Sequence, residues 1–467
     1  MILAALLLEL RSLVRSPFRM IVLLLVIGAG LFVINEGQRD VQRWNDAVAS
    51  GQVEQEEALQ DVRGYFASGS LGPEDRPWIQ LTSPRWQDWY AATRISRAPA
   101  PLAGIAFASA ESGAVSVRVN RFADPLLAAG MNIENPVLAA AGGLDLVAVL
   151  SLLLPLLILA LGVEVGGYER YSGLLPLLRV QSGRNHAWLW ARCLAVGLIA
   201  AGAGILLVLV ATLWAGADLA SAGALLALVV VYVALWTALL ATVAVVSRHP
   251  SHGAVSLGAA WIVFCFLIPA IGVERSAALA SNDFALDLTV DARDAGHEHA
   301  EADLKELYEM VFQRFPALRE DAPYSLAQGR REVHDALRIV QLEERMESRA
   351  KVAEKHDALV TSVSMASPTV AFSRALERIA GRSPETAEAF RRAVVDAAAL
   401  RAERYVRTTW NSSKLDLEDF EKLHASTPQF VDPPQPSWLR EFTDLIGWTL
   451  VFLVLAFLLA KRSQGRK

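Results

Sequence analysis

The stretch "LDLVAVLSLLLPLLILALGV" at residues 144–163 is almost wholly apolar, and its length decides the fold. An α-helix rises 1.5 Å per residue, so about 20 such residues cover the roughly 30 Å of hydrocarbon in a bilayer. A charged segment, "YERYSGLLPLLRVQSGRNH", follows at 168–186, and a second apolar stretch, "AWLWARCLAVGLIAAGAGILLVLVATLW", occupies 187–214. Because backbone polar groups in lipid must hydrogen-bond within the segment, both apolar stretches are predicted to be membrane-spanning helices.

The whole chain is rich in apolar residues. Hydrophobic residues make up 53% of its 467 residues and charged residues 20%, and the mean hydropathy is +0.33. The predicted spans, numbered 1 to 6 in chain order, are residues 17–35, 144–163, 187–214, 222–246, 254–273 and 442–460. The sequence therefore predicts an all-α polytopic membrane protein with six transmembrane helices.

Basic residues predict the orientation, because Lys and Arg in short loops are retained in the cytoplasm. Basic residues lie around the start of span 1, within the connections 164–186 and 247–253, and just after span 6. They are Arg11, Arg15, Arg19, Arg170, Arg179, Arg184, Arg248, Lys461 and Arg462. Both termini are thus predicted to be cytoplasmic. A cleaved signal peptide is the alternative for the N-terminus, but Glu9 lies among about 16 residues that precede the apolar run.

Residues 1–16 are predicted to form an amphipathic elbow helix at the cytoplasmic interface. Leu3, Leu6, Leu7 and Leu10 recur at helical spacing, with Glu9 on the opposite side. The alternative is a plain extension of span 1.

Two long segments, 36–143 and 274–441, are predicted to lie outside the cytoplasm. In the first, the residues after span 1 keep a helical pattern, and "AVSVRVNRF" at 114–122 alternates as a strand does, so a mixed domain is expected. The second segment is predicted to be mainly helical, and Ser383-Pro384 is typical of a helix start. Its mixed charges indicate a solvated helical surface, or alternatively a docking face for an extracytoplasmic partner.

No catalytic signature is present in the sequence. The chain has no Gly-Lys dipeptide and therefore no Walker A loop, so it is not predicted to be an ATPase. "HEHAE" at 297–301 lacks the second histidine at the spacing of a zinc-binding helix. The two cysteines, Cys193 and Cys265, both lie in predicted spans. We expect no enzyme activity, metal, cofactor or nucleic-acid partner for this chain.

Polar side chains near the membrane are candidate functional residues. Asp145 opens span 2 and Glu164 closes it, so a substrate role and a plain interfacial position are both open. Arg192 lies one or two turns into span 3 and is expected to extend toward the cytoplasmic face.

The segment 164–186 resembles the first cytoplasmic loop of ABC-2-type exporter permeases, in which a Glu-Arg pair precedes a Gly-Thr-Leu turn and a Leu pair. The matching residues are Glu169, Arg170, Gly173, Leu175, Leu177 and Leu178. Leu174 replaces the usual Thr, and Pro176 interrupts the leucines. Arg179 completes the set of residues that the resemblance assigns to coupling.

Other segments are similar to one subgroup of these permeases, which has two large outer domains including an uncharacterised second one. They are "ELRSLVRSPF" (9–18), "RAPAPLAGIAFASAESGAVSVRV" (97–119), "ENPVLAAAGGLDLVAVLSLLLPLLILALG" (134–162), "MASPTVAFSRALERIAG" (365–381) and "AFRRAVVDAAALRAERYV" (389–406). The resemblance thus covers most of the chain, in the right order.

The resemblance implies a permease subunit of an ABC exporter in a bacterial inner membrane. A separate nucleotide-binding subunit would bind ATP and Mg²⁺, and a second permease, identical or related, would complete the complex. Glu169 and Arg170 would then hold the loop on the ATPase by hydrogen bonds. Two alternatives are open: a scaffold that transmits ATP-driven motion to outer partners without transport, and an ion-coupled carrier.

Overall fold

The computed structural model describes residues 2–108, 114–120, 125, 143–174, 176–178, 187–279, 290, 303–319, 326–410, 414–424, 430–431 and 437–464. Six of its helices are long and apolar enough to cross a membrane, and each coincides with a predicted span. They run Pro17–Ser68, Leu146–Tyr171, Ala187–Ala215, Leu219–Val246, Pro250–Ser276 and Leu439–Arg462. The predicted fold class is confirmed, whereas the orientation of the termini stays a prediction.

The remaining described elements are an elbow helix, a short helix at the end of span 2 that we call the loop helix, two strands and eight outer helices, two of which are 3₁₀ helices. Their bounds are Ile2–Arg15 (elbow helix), Pro84–Tyr90 (α1), Thr93–Ser96 (β1), Ala103–Ala106 (3₁₀), Ser116–Val119 (β2), Gly167–Tyr171 (loop helix), Leu304–Arg314 (α2), Pro316–Arg319 (3₁₀), Leu326–Ala366 (α3), Pro368–Ile379 (α4), Pro384–Thr409 (α5) and Leu417–His424 (α6).

Span 1 belongs to a helix of 52 residues, which extends about 78 Å and therefore far beyond the bilayer. Ser16 caps its start by accepting a hydrogen bond from the Arg19 backbone N–H, and Pro17 occupies the first turn, where no N–H is needed. The helix ends at Gly69, whose φ of 69° is a left-handed conformation that glycine adopts without strain. The predicted helical pattern after span 1 is confirmed as a continuation of the same helix.

Spans 2 and 5 each contain a π-helical turn, at Val149–Leu153 and Val263–Leu267. A π-helical turn widens the helix and frees backbone carbonyls, which then need other donors. The Ser151 carbonyl accepts a hydrogen bond from the Tyr232 hydroxyl at 2.7 Å, and the Phe264 carbonyl accepts one from the Ser367 hydroxyl at 2.7 Å. Periodicity in the sequence gave no signal for either turn.

The two outer segments pack into one body rather than into separate units, and we call it the outer body. The antiparallel pair β1–β2, with Ile95 opposite Val117, buries one face against Phe390 and Val394 of α5. The predicted strand in "AVSVRVNRF" is β2. Leu59 and Val62 of the long span 1 helix and Phe420 of α6 share a second apolar cluster.

Buried ion pairs join the same two segments. Arg401 of α5 pairs with Asp88 of α1 at 2.6 Å and donates a hydrogen bond to the Ala91 carbonyl at 2.7 Å. Arg382, just before α5, pairs with Asp40 and lies 4.4 Å from the ring centre of Trp44. Since isolated buried charges are strongly unfavourable, these pairs require the two segments to stay together.

Helix α4 lies between the outer ends of spans and anchors the outer body to them. Phe372 stacks on Tyr232 of span 4, with ring centroids 4.0 Å apart and planes 3° from parallel. Thr369 contacts the Cys265 sulfur of span 5 at 3.3 Å, and Arg378 pairs with Glu441 of span 6 at 2.6 Å. The start of α4 therefore contacts the spans below their outer ends.

His424, at the end of α6, makes the stability of the outer body depend on pH. Burial, together with the nearby cations Arg401, Arg63 and Arg404, lowers its pKa from 6.5 to about 3. A depressed pKa means that the unfolded state binds more protons, so the stabilisation is complete above pH 6.5 and declines as pH falls toward 3. At pH 5 the loss should be about 2 kcal/mol.

We therefore expect His424→Leu to flatten the decline in melting temperature between pH 7 and pH 5. Thermal unfolding of the purified full chain over this range tests the prediction. His356→Leu is the control, because it removes a histidine from α3 of the same outer body and leaves α6 unchanged. An equal slope in wild type and His424→Leu would contradict it.

Candidate functional site

The loop helix forms the last part of span 2, at the end of the bundle that also carries the elbow helix and the connection between spans 4 and 5. We call this end the elbow face. Gly166 has a φ of 84°, and a Cβ there would lie 2.3 Å from the Ala244 carbonyl oxygen. A Cβ on Gly167 would lie 2.7 Å from the His249 backbone. The two glycines thus let the end of span 2 pack directly on the connection between spans 4 and 5.

Glu169 is buried and has internal partners. Its side chain is 4% exposed, and one carboxylate oxygen accepts a hydrogen bond from the Gly166 backbone N–H at 2.8 Å, which caps the loop helix. The other oxygen forms an ion pair with Arg192 of span 3. Glu169 therefore positions the loop helix, and its predicted hydrogen bonds to an ATPase stay a prediction.

Arg170 also has internal partners. Its guanidinium donates to the carbonyls of Ala244 at 2.7 Å and Val245 at 2.8 Å, and to the Ser247 carbonyl. These carbonyls lie at the C-terminal end of span 4, where they have no helical donors and carry partial negative charge. Arg170 therefore ties the loop helix to span 4.

Ion pairs continue from Glu169 into a chain that we call the elbow network. Arg192 donates to Glu9 of the elbow helix at 2.5 Å, and Glu9 lies 3.6 Å from Arg19 of span 1. Arg19 pairs with Glu164 at the end of span 2 at 2.5 Å. The network connects the elbow helix, spans 1, 2 and 3 and the loop helix.

A different set of side chains faces away from the bundle. Four apolar or aromatic residues of the loop helix and the following turn are 42–66% exposed, and we call them the elbow patch: Tyr168, Tyr171, Leu174 and Leu177. Tyr171 also packs on His249, with ring centroids 4.6 Å apart. Groups of exposed apolar residues mark protein or membrane interaction sites.

Four predicted coupling residues remain, of which one lies in open space, one packs against the bundle and two are not described. Gly173 has a φ of 75° and open space around it, and Leu178 packs against the core of the bundle. Leu175 and Arg179 lie outside the described residues.

The two polar candidates near the membrane have structural partners. Asp145 caps span 2 by accepting the Ala148 backbone N–H at 2.8 Å, and it is 6% exposed. Glu164, whose side chain is 51% exposed, belongs to the elbow network. Within the described part of the chain, no three His, Cys, Asp or Glu side chains are grouped as a metal site would require.

The sequence identified the charged residues near the elbow face but not the residues with which they form ion pairs. Arg192 was expected to extend alone toward the cytoplasmic face, but it forms ion pairs with Glu9 and Glu169. Glu9 was assigned to the polar side of the elbow helix, yet its side chain is only 2% exposed. The sequence held one signal for these ion pairs. Glu9 and Glu169 each precede a span that carries an arginine near its start, Arg19 in span 1 and Arg192 in span 3.

The chain is similar to a protein family over part of its outer body. Residues 285–429, less than half of the chain, match the family described as "Domain of unknown function (DUF3526)". This range includes helices α2 to α6 and ends before span 6. No curated protein and no solved structure matches the chain.

Proposed function

We propose that this chain is the transmembrane permease subunit of an ATP-driven ABC-2-type exporter in a bacterial inner membrane. It would couple ATP hydrolysis by a separate nucleotide-binding subunit to movement of a substrate across the membrane. The observation that carries the proposal is the arrangement of the elbow face, where an exposed elbow patch lies directly on the buried elbow network. ATP and Mg²⁺ would be bound by the partner, since this chain has no Walker A loop.

The elbow network supports the mechanical part of the proposal. A partner that moves the loop helix also moves span 2 through the backbone, span 3 through Arg192 and span 4 through Arg170. Short charge-assisted hydrogen bonds in a poorly solvated site resist bending, so the connected helices would move as a rigid group. Small local shifts at an effector site are converted into helix or domain rotation in this way.

The elbow patch supports the partner assignment. Two tyrosines and two leucines on one short segment suit an apolar groove on a soluble subunit, and Tyr is enriched in such contacts. A second permease, identical or related, would complete the membrane complex, with lipid around the remaining faces of the spans.

A second candidate is a scaffold that transmits ATP-driven motion to extracytoplasmic partners. The contact between Phe372 of α4 and Tyr232 of span 4 favours it, because motion of span 4 would reach the outer body directly. An ion-coupled carrier is the weakest candidate, since its activity would not need the elbow patch.

We expect the elbow patch to be required for binding of an ATPase. The double substitution Tyr171→Ser with Leu177→Ser should weaken association about 100-fold, because two exposed anchors are each worth 1–2 kcal/mol. Purification of the tagged chain from native membranes in mild detergent, with mass spectrometry of the retained proteins, measures this.

Val53→Ser is the matched control, since Val53 is 55% exposed but lies on the outward part of the span 1 helix. A Walker A protein retained by wild type and Val53→Ser, but not by the double variant, is the expected result. A chain that purifies without any such protein would contradict the proposed function.

A further inference from the structure

A cavity of about 250 Å³ lies between spans 2 and 5 beneath the outer body. Its walls include Ser151 and Leu152 of span 2, Cys265 and Pro269 of span 5 and Thr369 of α4. Ser151 is about 8 Å and Cys265 about 16 Å along the helix axis from the outer ends of their spans. The cavity therefore lies at the depth of the leaflet beneath the outer body.

Both π-helical turns border this cavity. Ser151 and Leu152 belong to one of them and Cys265 to the other. Their carbonyls already accept hydrogen bonds from Tyr232, from Trp261 at 3.1 Å and from Ser367. These three hydrogen bonds satisfy the carbonyls of Ser151, Leu152 and Phe264. π-helical turns inside α-helices occur frequently at functional sites.

A larger groove of about 600 Å³ lies above the cavity, between α3 and α5 of the outer body. Val360, Arg374 and Pro384 line both spaces, so the groove and the cavity adjoin. The volume of the groove lies within the range of about 300–1,000 Å³ that is usual for small-molecule sites.

The lining of the groove combines apolar and charged side chains. Ala350, Ala353, Val360 and Ala389 supply apolar surface along the groove. The rim carries both signs of charge, with Arg392 from α5 and the carboxylates of Glu354 and Asp357 from α3. Arg392 is 54% exposed and lies 3.9 Å from Glu388, and Asp357 is 56% exposed and pairs with Arg374, so each keeps an exposed side beside an internal partner.

We propose that this cavity and groove bind one amphipathic lipid molecule with a zwitterionic head group, taken from the leaflet beneath the outer body. The hydrocarbon chain occupies the space between spans 2 and 5 and lies along the alanines and Val360 of the groove, where burial of methylene groups favours binding. The phosphate of the head group pairs with Arg392, and its ammonium group pairs with Glu354 or Asp357. A purely anionic or cationic head group would meet like charge on the same rim.

This inference concerns binding alone and does not depend on the proposed function. Lipid binding is therefore measured on the full chain without an ATPase. Association with an ATPase is measured in a separate experiment, so the two proposals can fail independently.

Photo-crosslinking of the full chain in mild detergent tests the site. The probe is lysophosphatidylethanolamine with a diazirine on the acyl chain, and mass spectrometry locates the attached lipid. We expect labelled peptides to contain residues 151–152, 265–269 and 360. Labelling spread over the exposed faces of spans 1 and 6, without enrichment at those positions, would overturn the proposal.

A matched pair of variants on α3 sharpens the test. Ala353 lines the groove, whereas Ala358 is exposed on the same helix and is not part of the lining. Ala353→Trp should lower labelling about tenfold by filling the groove, while Ala358→Trp should leave it unchanged. Ala389→Phe fills the groove from α5 and replaces Ala353→Trp if that variant does not fold. Unchanged labelling in both groove variants would refute the site.

Competition identifies the head group. Dodecylphosphocholine, which is zwitterionic, should compete better than dodecyl phosphate or dodecylammonium. Equal or better competition by either singly charged amphiphile would overturn the assignment of a zwitterionic ligand.

Discussion

Arg401→Ala should destabilise the outer body by about 3–5 kcal/mol, because removing one partner of a buried ion pair leaves the other charge without compensation. The Arg401 side chain is 7% exposed and that of Asp88 is 1% exposed. Arg401 also donates to Thr93 and to the Ala91 carbonyl, so the substitution removes hydrogen bonds to both ends of the α1–β1 connection. The two outer segments lose a central contact.

A melting temperature lower by about 10 °C is the expected readout for the outer body in the purified chain. Limited proteolysis should then cut near α1 first, because that region loses its contact with α5. Arg401→Lys keeps the positive charge but lacks the planar guanidinium group. The melting temperature of this variant should therefore lie between those of Arg401→Ala and the wild type.

Arg407→Ala is the control for Arg401→Ala. Arg407 lies on the same helix and pairs with Glu403 at 2.8 Å, but its side chain is 49% exposed, so the pair contributes little. Equal melting temperatures for the Arg401→Ala and Arg407→Ala variants would show that the Arg401–Asp88 pair does not hold the segments together.

Glu169→Ala should release the loop helix from the bundle while leaving the six spans inserted. The substitution removes the cap on Gly166 and leaves Arg192 with Glu9 as its remaining carboxylate partner. Hydrogen bonds to a charged group contribute about 2 kcal/mol, which corresponds to an increase of about 30-fold in local opening.

Two measurements follow the release of the loop helix. Trypsin cleavage after Arg170 should accelerate by about the same factor. Local opening of the loop helix exposes the Arg170 side chain, which contacts span 4 in the wild type. Association with an ATPase should weaken in parallel under the proposed function. The cleavage result concerns the structure alone, so it holds even if no ATPase binds.

Glu164→Ala provides the comparison within the elbow network. Glu164 is half exposed, and its partner Arg19 retains Ser12 at 2.6 Å and Glu9 at 3.6 Å. Little change is expected in this variant. Equal acceleration of cleavage in the Glu164→Ala and Glu169→Ala variants would mean that the ion pair with Arg192 has no special role.

Several local features of the fold were predictable from the residues that form them. Ser383 caps α5 through its hydroxyl, as the Ser-Pro pair predicted, and the alternating residues of 116–119 form β2. The long helix after span 1 also followed from its periodicity. In each of these cases, neighbouring residues supply both the pattern and the hydrogen bonds that stabilise it.

The candidate site was only half predictable. The residues of the loop were identified from the sequence, but the contacts that Glu169 and Arg170 make within the chain were not. The exposed face belongs to Tyr168, Tyr171, Leu174 and Leu177 instead. Which side of a five-residue helix faces the bundle depends on Ala244 and Arg192, which are distant in sequence.

The sequence by itself determined that this chain spans a membrane six times, because transfer of an apolar helix into lipid depends on the residues of that helix alone. Only the tertiary structure decided that the two outer segments form one body, that α4 packs on Tyr232 and that five charges join at the elbow face. These features are contacts between residues that lie far apart in the chain. Their energies depend on distance and burial, which composition and periodicity do not contain.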